Sequence, residues 1–309
     1  MPGTINVIKP ELAPMLANFE KSMGYTKAVG VDRDALYGAM HLAARRIGVP
    51  YPEGSISWHA FNVGANYAYV CYPNLPLEFR LWPGIYTWLA TTVDDDAYKN
   101  PEEWSQFVPR FFTGTKQHNS VAQEFDRWLR LSYEYYSPTI ASSIITASLN
   151  FVNATVLEGS EVPKMVRTAG GENWAYYFRE KTGIAEVYSL MTFPKTLCPE
   201  MSQYMEALPD MMKYINFTND VFSFYKEECA QETDNYVHSK AAYEGVDAYE
   251  MLRRIIEETL SAQRRIKLVL EGKEPYAQLW NDHALGFIAF HKVSDRYKLR
   301  DLGLDESLP

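Results

Sequence analysis

The chain has 309 residues, 47% of them apolar and 14% aromatic, enough for one large core or two ordinary ones. A net charge of -9, with basic residues dispersed apart from small groups such as Arg45-Arg46 and Arg264-Arg265 with Lys267, argues against a nucleic-acid-binding surface. The three cysteines, Cys71, Cys198 and Cys229, are odd in number and form no CxxC pair, so neither a disulfide framework nor a zinc site is indicated, and a reducing cytoplasmic setting fits best.

At the N-terminus, Met1 to Pro14 carries a lysine and a glutamate and no apolar signal core, and no run along the chain approaches the ~18 apolar residues of a membrane span. The chain therefore reads as soluble and untargeted. A helix-like apolar run begins near Pro83, holds Ile85, Tyr86, Trp88, Leu89 and Val93, and ends on Asp94-Asp95-Asp96. Three consecutive carboxylates repel one another, and at a helix C-terminus they oppose the dipole, so a positive partner is expected; a solvated acidic loop is the plain alternative. Residues 122–137, 138–157, 201–228 and 248–270 then show apolar residues at helical spacing, with no sustained period-two alternation anywhere. The pattern is all-α. Prolines at 50 and 52, 73 to 76, 101, 109, 163, 194 to 199 and 209 mark helix boundaries. No linker divides the chain, which reads as one domain over 1–309, with 271–280 as a connection and 300–309 as a loose tail.

The richest stretch is Asn219-Asp220-Val221-Phe222-Ser223-Phe224-Tyr225-Lys226-Glu227. At about 100° per residue in a helix, Asn219, Ser223 and Glu227 fall within an arc of roughly 80°, with Lys226 on its flank. Oxygen ligands of mixed charge suit Mg2+, which keeps several waters and completes its shell with phosphate oxygens, and the lysine supplies a point charge for such a phosphate. The spacing alone is that of many solvated helix faces. Here Met211, Met212, Ile215, Phe217, Val221, Phe222 and Phe224 surround it, so the polar row is carried into an apolar helix and needs a partner. The six histidines form no HxxH or HxxxH spacing and read as core or surface residues.

Asp-Asp at the end of one helix, with Asn-Asp-x-x-Ser-x-x-x-Glu about 125 residues later, resembles the class I terpene cyclases. The wording from Asn219 to Glu227 is especially similar to the trichodiene synthase-like fungal sesquiterpene cyclases. Arg179-Glu180-Lys181-Thr182-Gly183 resembles that family's diphosphate-sensing arginine and the helix-breaking glycine whose neighbourhood triggers ionisation. Gly286 to Tyr297 resembles its C-terminal helix, ending in an Arg-Tyr pair that contacts diphosphate. Together these motifs cover residues from about 55 to 300.

The resemblance implies a single-domain helical bundle around a central cavity, and an enzyme that ionises a prenyl diphosphate, farnesyl diphosphate, and cyclises the carbocation to a sesquiterpene hydrocarbon or alcohol. It implies Mg2+ held by Asp94 and Asp95 on one side and Asn219, Ser223 and Glu227 on the other. Arg179, Lys226, Arg296 and Tyr297 would bind diphosphate, and Gly183 would sit at the trigger. Many class I cyclases carry a further acid at the fourth position after the first aspartate; here Tyr98 stands there, leaving Asp96 or Glu102 to substitute. By helical phase the hydrocarbon wall draws on Tyr86, Thr87 and Ala90, on Met212 and Ile215, and on Phe287 and Phe290. Phe290, placed on the same helix as Arg296 and Tyr297 and about two turns deeper, would stabilise positive charge through its ring. A chain-elongating prenyltransferase would want two aspartate-rich motifs and is the enzymatic alternative; a catalytically silent prenyl-diphosphate-binding protein is the other. No nucleic-acid partner and no membrane span are expected, and a homodimer is left open.

Overall fold

A computed structural model of the chain describes residues 10–27 and 31–309, so most of the N-terminal stretch read as lacking a signal core lies outside the described residues. Those residues form helices and connections, with no strand among them. In chain order the helices are α1 Leu12–Met23, α2 Arg33–Ile47, α3 Ile56–Cys71, α4 Leu77–Ala97, the short α5 Pro101–Trp104 and α6 Phe107–Thr113, α7 Ser120–Tyr135 and α8 Pro138–Ser160. They continue as α9 Trp174–Thr182, α10 Ala185–Leu190, α11 Leu208–Ala230, α12 Tyr236–Glu244, α13 Ala248–Leu270 and α14 Tyr276–Val293. Side-chain caps set several starts: Ser55, Asn119, Asn235 and Asp247 each accept a backbone N–H of the first turn of α3, α7, α12 and α13.

The helix at the centre is α3. It lies between α4 and α14, and two glycines allow that closeness. A Cβ on Gly64 would come within 2.3 Å of the Gly84 carbonyl oxygen on α4, and one on Gly286 of α14 within 2.1 Å of the Val70 carbonyl oxygen on α3. These contacts position the site, because α4 carries Asp94 and α14 leads into Arg296 and Tyr297.

Several boundaries differ from the sequence reading. α4 starts at Leu77, with Pro83 inside it. Pro83 costs the helix one backbone hydrogen bond, but its flanks Trp82 and Ile85 are fully buried, so packing holds the helix through it. Pro109 and Pro209 sit inside the first turns of α6 and α11, where a missing N–H costs nothing, and do not act as stops. The segment expected to be helical from 201 opens with two 3-10 turns before α11 begins at Leu208, and α14 starts at Tyr276, within the stretch expected to be a connection.

α8 is long and apolar enough by length and composition to cross a membrane, contrary to the expectation that no run approaches a span, and half of its 18-residue window is buried inside the bundle. The tail is not loose. Glu306 donates its N–H to the Lys292 carbonyl (3.0 Å) and accepts from the Tyr25 hydroxyl (2.8 Å), while the Tyr69 hydroxyl donates to the Pro309 carbonyl (3.0 Å). Buried Lys292 sits 2.6 Å from Glu20 and 3.4 Å from Glu306, so the tail brings a carboxylate to a cation that burial obliges to be paired.

Gly64→Ala and Gly286→Ala should each lower the unfolding free energy by about 1–3 kcal/mol in urea titrations, because the added methyl meets backbone that cannot yield. Gly170→Ala, where a Cβ meets nothing, should stay within about 0.5 kcal/mol; equal losses at all three positions would contradict the close-approach account.

Candidate active site

Residues of α3, α4, α8, α9, α11 and α14, with the segment after α14, line a cavity of about 780 Å³. One part of its wall is polar: Asp94, Arg179, the row Asn219, Ser223 and Glu227, Lys226, Arg296 and Tyr297 all line it. Another part is apolar and aromatic, built from Tyr67, Ala90, Phe151, Ile215, Phe287 and Phe290 among others. Of the proposed hydrocarbon-wall residues, Tyr86 and Met212 are elsewhere. Tyr86 is buried with its hydroxyl 2.8 Å from Ser148 Oγ, and Met212 packs against the core from outside.

Arg179, near the end of α9, is tied to α11 by three hydrogen bonds. Its Nε donates to Asp220 Oδ1 (2.8 Å), and one terminal nitrogen donates to the Asn216 carbonyl (3.0 Å) and to Asn219 Oδ1 (3.1 Å). Asp220 was not singled out in the sequence. Its Oδ2 is buried with no partner among the described residues, and burial pushes its carboxyl up to about 7 in spite of the Arg179 charge. α9 ends at Gly183 with φ -82°, an ordinary conformation, so backbone freedom is not the reason for glycine there. Space is the reason: a Cβ would lie 1.9 Å from Asn216 Oδ1 and 2.5 Å from an Arg179 terminal nitrogen. The left-handed residue is the next one, Ile184 at φ 50°, a β-branched side chain in a region that costs about 1–3 kcal/mol.

The aspartate triplet lies on helix, since α4 runs to Ala97, and successive residues point about 100° apart. Asp94 faces the cavity, where burial lifts its carboxyl to about 6 against the opposing pull of Arg296 and Arg179. Asp95 instead lines an adjacent recess with His59 and Arg296, so it does not join Asp94 in the cavity. Asp96 accepts from the Trp104 indole (2.9 Å) and the Asn100 amide (2.8 Å), which gives it a structural task, and Glu102 is exposed. Neither fills the place of the acid missing at Tyr98. Glu158 of α8 does line the cavity, and burial together with the Asp94 charge raises it to about 7. Gly159 makes this possible, since a Cβ there would meet the Tyr98 carbonyl oxygen at 2.2 Å. Helical phase offered a signal: Phe151 and Glu158, seven residues apart on α8, line the same cavity.

Arg296 and Tyr297 line the cavity from a different element than expected. α14 stops at Val293, Ser294 is extended, and the pair sits in a 3-10 turn, so helical phase does not relate Phe290 to Tyr297. The rings nevertheless approach to 5.9 Å, edge to face. Lys226 Nζ lies 3.0 Å from Glu227 Oε1. Among the described residues no three His, Cys, Asp or Glu side chains converge to hold a metal on their own. The amide, hydroxyl and carboxylate oxygens on the cavity wall fit a hard cation that takes its remaining ligands from water and phosphate.

Residues 61–306 match the family model of trichodiene synthase. The chain belongs to the trichodiene synthase family. It is 38% identical over 268 residues to a longiborneol synthase of Gibberella zeae, covering 85% of this chain and 79% of that one. It is 36% identical over 297 residues to the terpene synthase BipA of Cochliobolus sativus, covering 95% and 91%. The linalool/nerolidol synthase of Streptomyces clavuligerus shares the fold at a TM-score of 0.62 and 12% identity, over 86% of this chain and 98% of that one. The trichodiene synthase family match thus spans every motif helix described above.

Asp94 carries a pH signature. Its folded-state carboxyl titrates near 6 against an ordinary 3.8, so without metal its ionisation costs stability that is intact below about 3.8 and lost as the pH rises through about 6. Metal-free Asp94→Asn should therefore melt about 2–4 °C above the parent at pH 8, the gap closing as the pH falls below 6. A variant that melts lower than the parent at pH 8 would show that Asp94 is stabilised, not strained, by its surroundings.

Proposed function

We propose that this chain binds farnesyl diphosphate in the cavity, ionises it with Mg2+, and closes the resulting carbocation into a sesquiterpene hydrocarbon or alcohol with release of diphosphate. The observation that carries the reading is one cavity with two chemistries: oxygen donors and cations on one part of its wall, aromatic and aliphatic side chains on the other. The names of the relatives, a longiborneol synthase among them, support it.

Asn219, Ser223 and Glu227, with Asp94 opposite, would hold the metal. Mg2+ bound there supplies a Lewis acid that neutralises charge growing on the departing diphosphate. Arg179, Lys226, Arg296 and Tyr297 bind and orient the phosphate oxygens. For Arg179 this is an exchange at one nitrogen: it gives up a bond to the neutral amide oxygen of Asn219 for charge-assisted bonds to phosphate, while its Nε keeps Asp220 paired. The apolar wall excludes water from the cation, and the ring of Phe290, with Tyr67 5.6 Å and Phe287 6.0 Å away, turns aromatic surface toward it. An amide–hydroxyl–carboxylate row in place of a second aspartate-rich motif favours cyclisation over chain elongation.

Incubation with Mg2+ and farnesyl diphosphate, followed by gas chromatography, should give cyclised products that vanish with a chelator. Absence of turnover, or a longer prenyl diphosphate when isopentenyl diphosphate is added, would overturn the reading. Asn219→Ala, Ser223→Ala and Glu227→Ala should each cut turnover about tenfold or more at unchanged helical content. Phe290→Leu should redistribute products several-fold while substrate consumption stays near that of the parent, since a ring–cation contact is worth about 0.5–2 kcal/mol; an unchanged profile would assign Phe290 to packing alone.

A further inference from the structure

His291 sits on α14 behind Asn219, away from the cavity and fully buried, with its ring 5.2 Å from Phe222 and 4.4 Å from Tyr297. Its Nδ1 lies 2.6 Å from the Phe287 carbonyl oxygen and its Nε2 lies 3.2 Å from Asn219 Nδ2. A carbonyl only accepts, so Nδ1 carries the proton. Nε2 of a neutral imidazole is then an acceptor, and it takes a hydrogen from the Asn219 amide nitrogen. Doubly protonating the ring to reverse that bond would place an uncompensated cation in an apolar shell that already feels the Lys226 charge.

Asn219 is thus read from two sides. The Arg179 guanidinium, which only donates, demands its oxygen, and His291 demands its nitrogen. Once Arg179 turns to a diphosphate, the first constraint is gone. The Tyr297 hydroxyl also reaches Asn219, but a hydroxyl donates and accepts and so selects neither face of the amide.

We propose that His291 is a positioning residue: by accepting from Asn219 Nδ2 it keeps Oδ1, and not the amide nitrogen, presented to the metal while Arg179 is engaged with diphosphate. The inference rests on the reading of Asn219 as a metal ligand given above. An amide that flips presents N–H groups to a cation, which repel it, so the orientation decides whether Asn219 adds to the metal's binding or opposes it.

A double-mutant cycle tests this, with Mg2+-dependent binding of inorganic diphosphate read by titration calorimetry and melting temperatures recorded in parallel. His291→Phe should weaken binding about tenfold or more. In an Asn219→Asp background, where both oxygens are equivalent and nothing needs orienting, the same change should cost less than about threefold. His291→Leu should repeat the pattern and stands in if the phenylalanine variant does not fold. Equal losses in both backgrounds would make His291 a packing residue only, and no loss in either would remove it from the site; both overturn the inference. A parent protein that binds no diphosphate with Mg2+ would overturn the metal reading and the inference together.

Discussion

The arrangement of the cavity depends on one guanidinium. Arg179 joins the end of α9 to three successive groups on α11, the Asn216 carbonyl, Asn219 and Asp220, and in doing so sets the depth and rotation at which α9 meets the oxygen row. The ion pair with Asp220 is only 13% and 10% exposed on its two sides, where a pair adds little net stability but a broken one leaves a costly buried charge. Room for this junction comes from Gly183, whose missing side chain lets Asn216 and Arg179 close over it, and the strain falls on Ile184 immediately after. A latch under strain, whose arginine a phosphate can claim, is suited to sensing that phosphate.

Electrostatics around the latch are deliberately incomplete. Asp94, Glu158 and Asp220 are each pushed toward neutrality by burial, although arginines lie near, so the metal-free cavity holds more acid than its own cations compensate. A divalent cation would offset that excess, whereas a diphosphate alone would add to it, so the anion needs metal in order to enter. The rigid frame behind the site keeps these groups from relaxing apart: α3, held between the backbones of α4 and α14 at Gly64 and Gly286, fixes Asp94 relative to Arg296. The docked tail, through Lys292, Glu20 and Glu306, braces the chain that follows the Arg296 turn.

What could be read from the sequence was periodic. α13 has the boundaries its apolar spacing predicts, and the row Asn219, Ser223 and Glu227 faces one cavity because i, i+4 and i+8 share a helix face whatever the helix packs against. What could not be read depends on contacts between distant segments. Pro83 looks like a start until the packing of α4 carries the helix through it, and Asp95 reads as a further ligand beside Asp94 until the helix continues and turns it 100° away. Phase from Phe290 to Tyr297 fails at Ser294, where an extended residue ends the helix. A lone histidine carries no pattern, so His291 emerges only when α14 is placed against α11; Glu158 shares a face of α8 with Phe151, but only the packing shows that this face borders the cavity.

The most direct test of the account is a crystal structure with Mg2+ and inorganic diphosphate bound. A cation on Asn219 Oδ1 would repel the guanidinium that now donates to the same oxygen, so the account requires Arg179 to leave it for phosphate. The expected result is a metal ligated by Asn219, Ser223 and Glu227, with Arg179 and Arg296 on the phosphate oxygens. Diphosphate bound away from Arg179, or metal held without Asn219 while the Arg179–Asn219 contact stays intact, would contradict it.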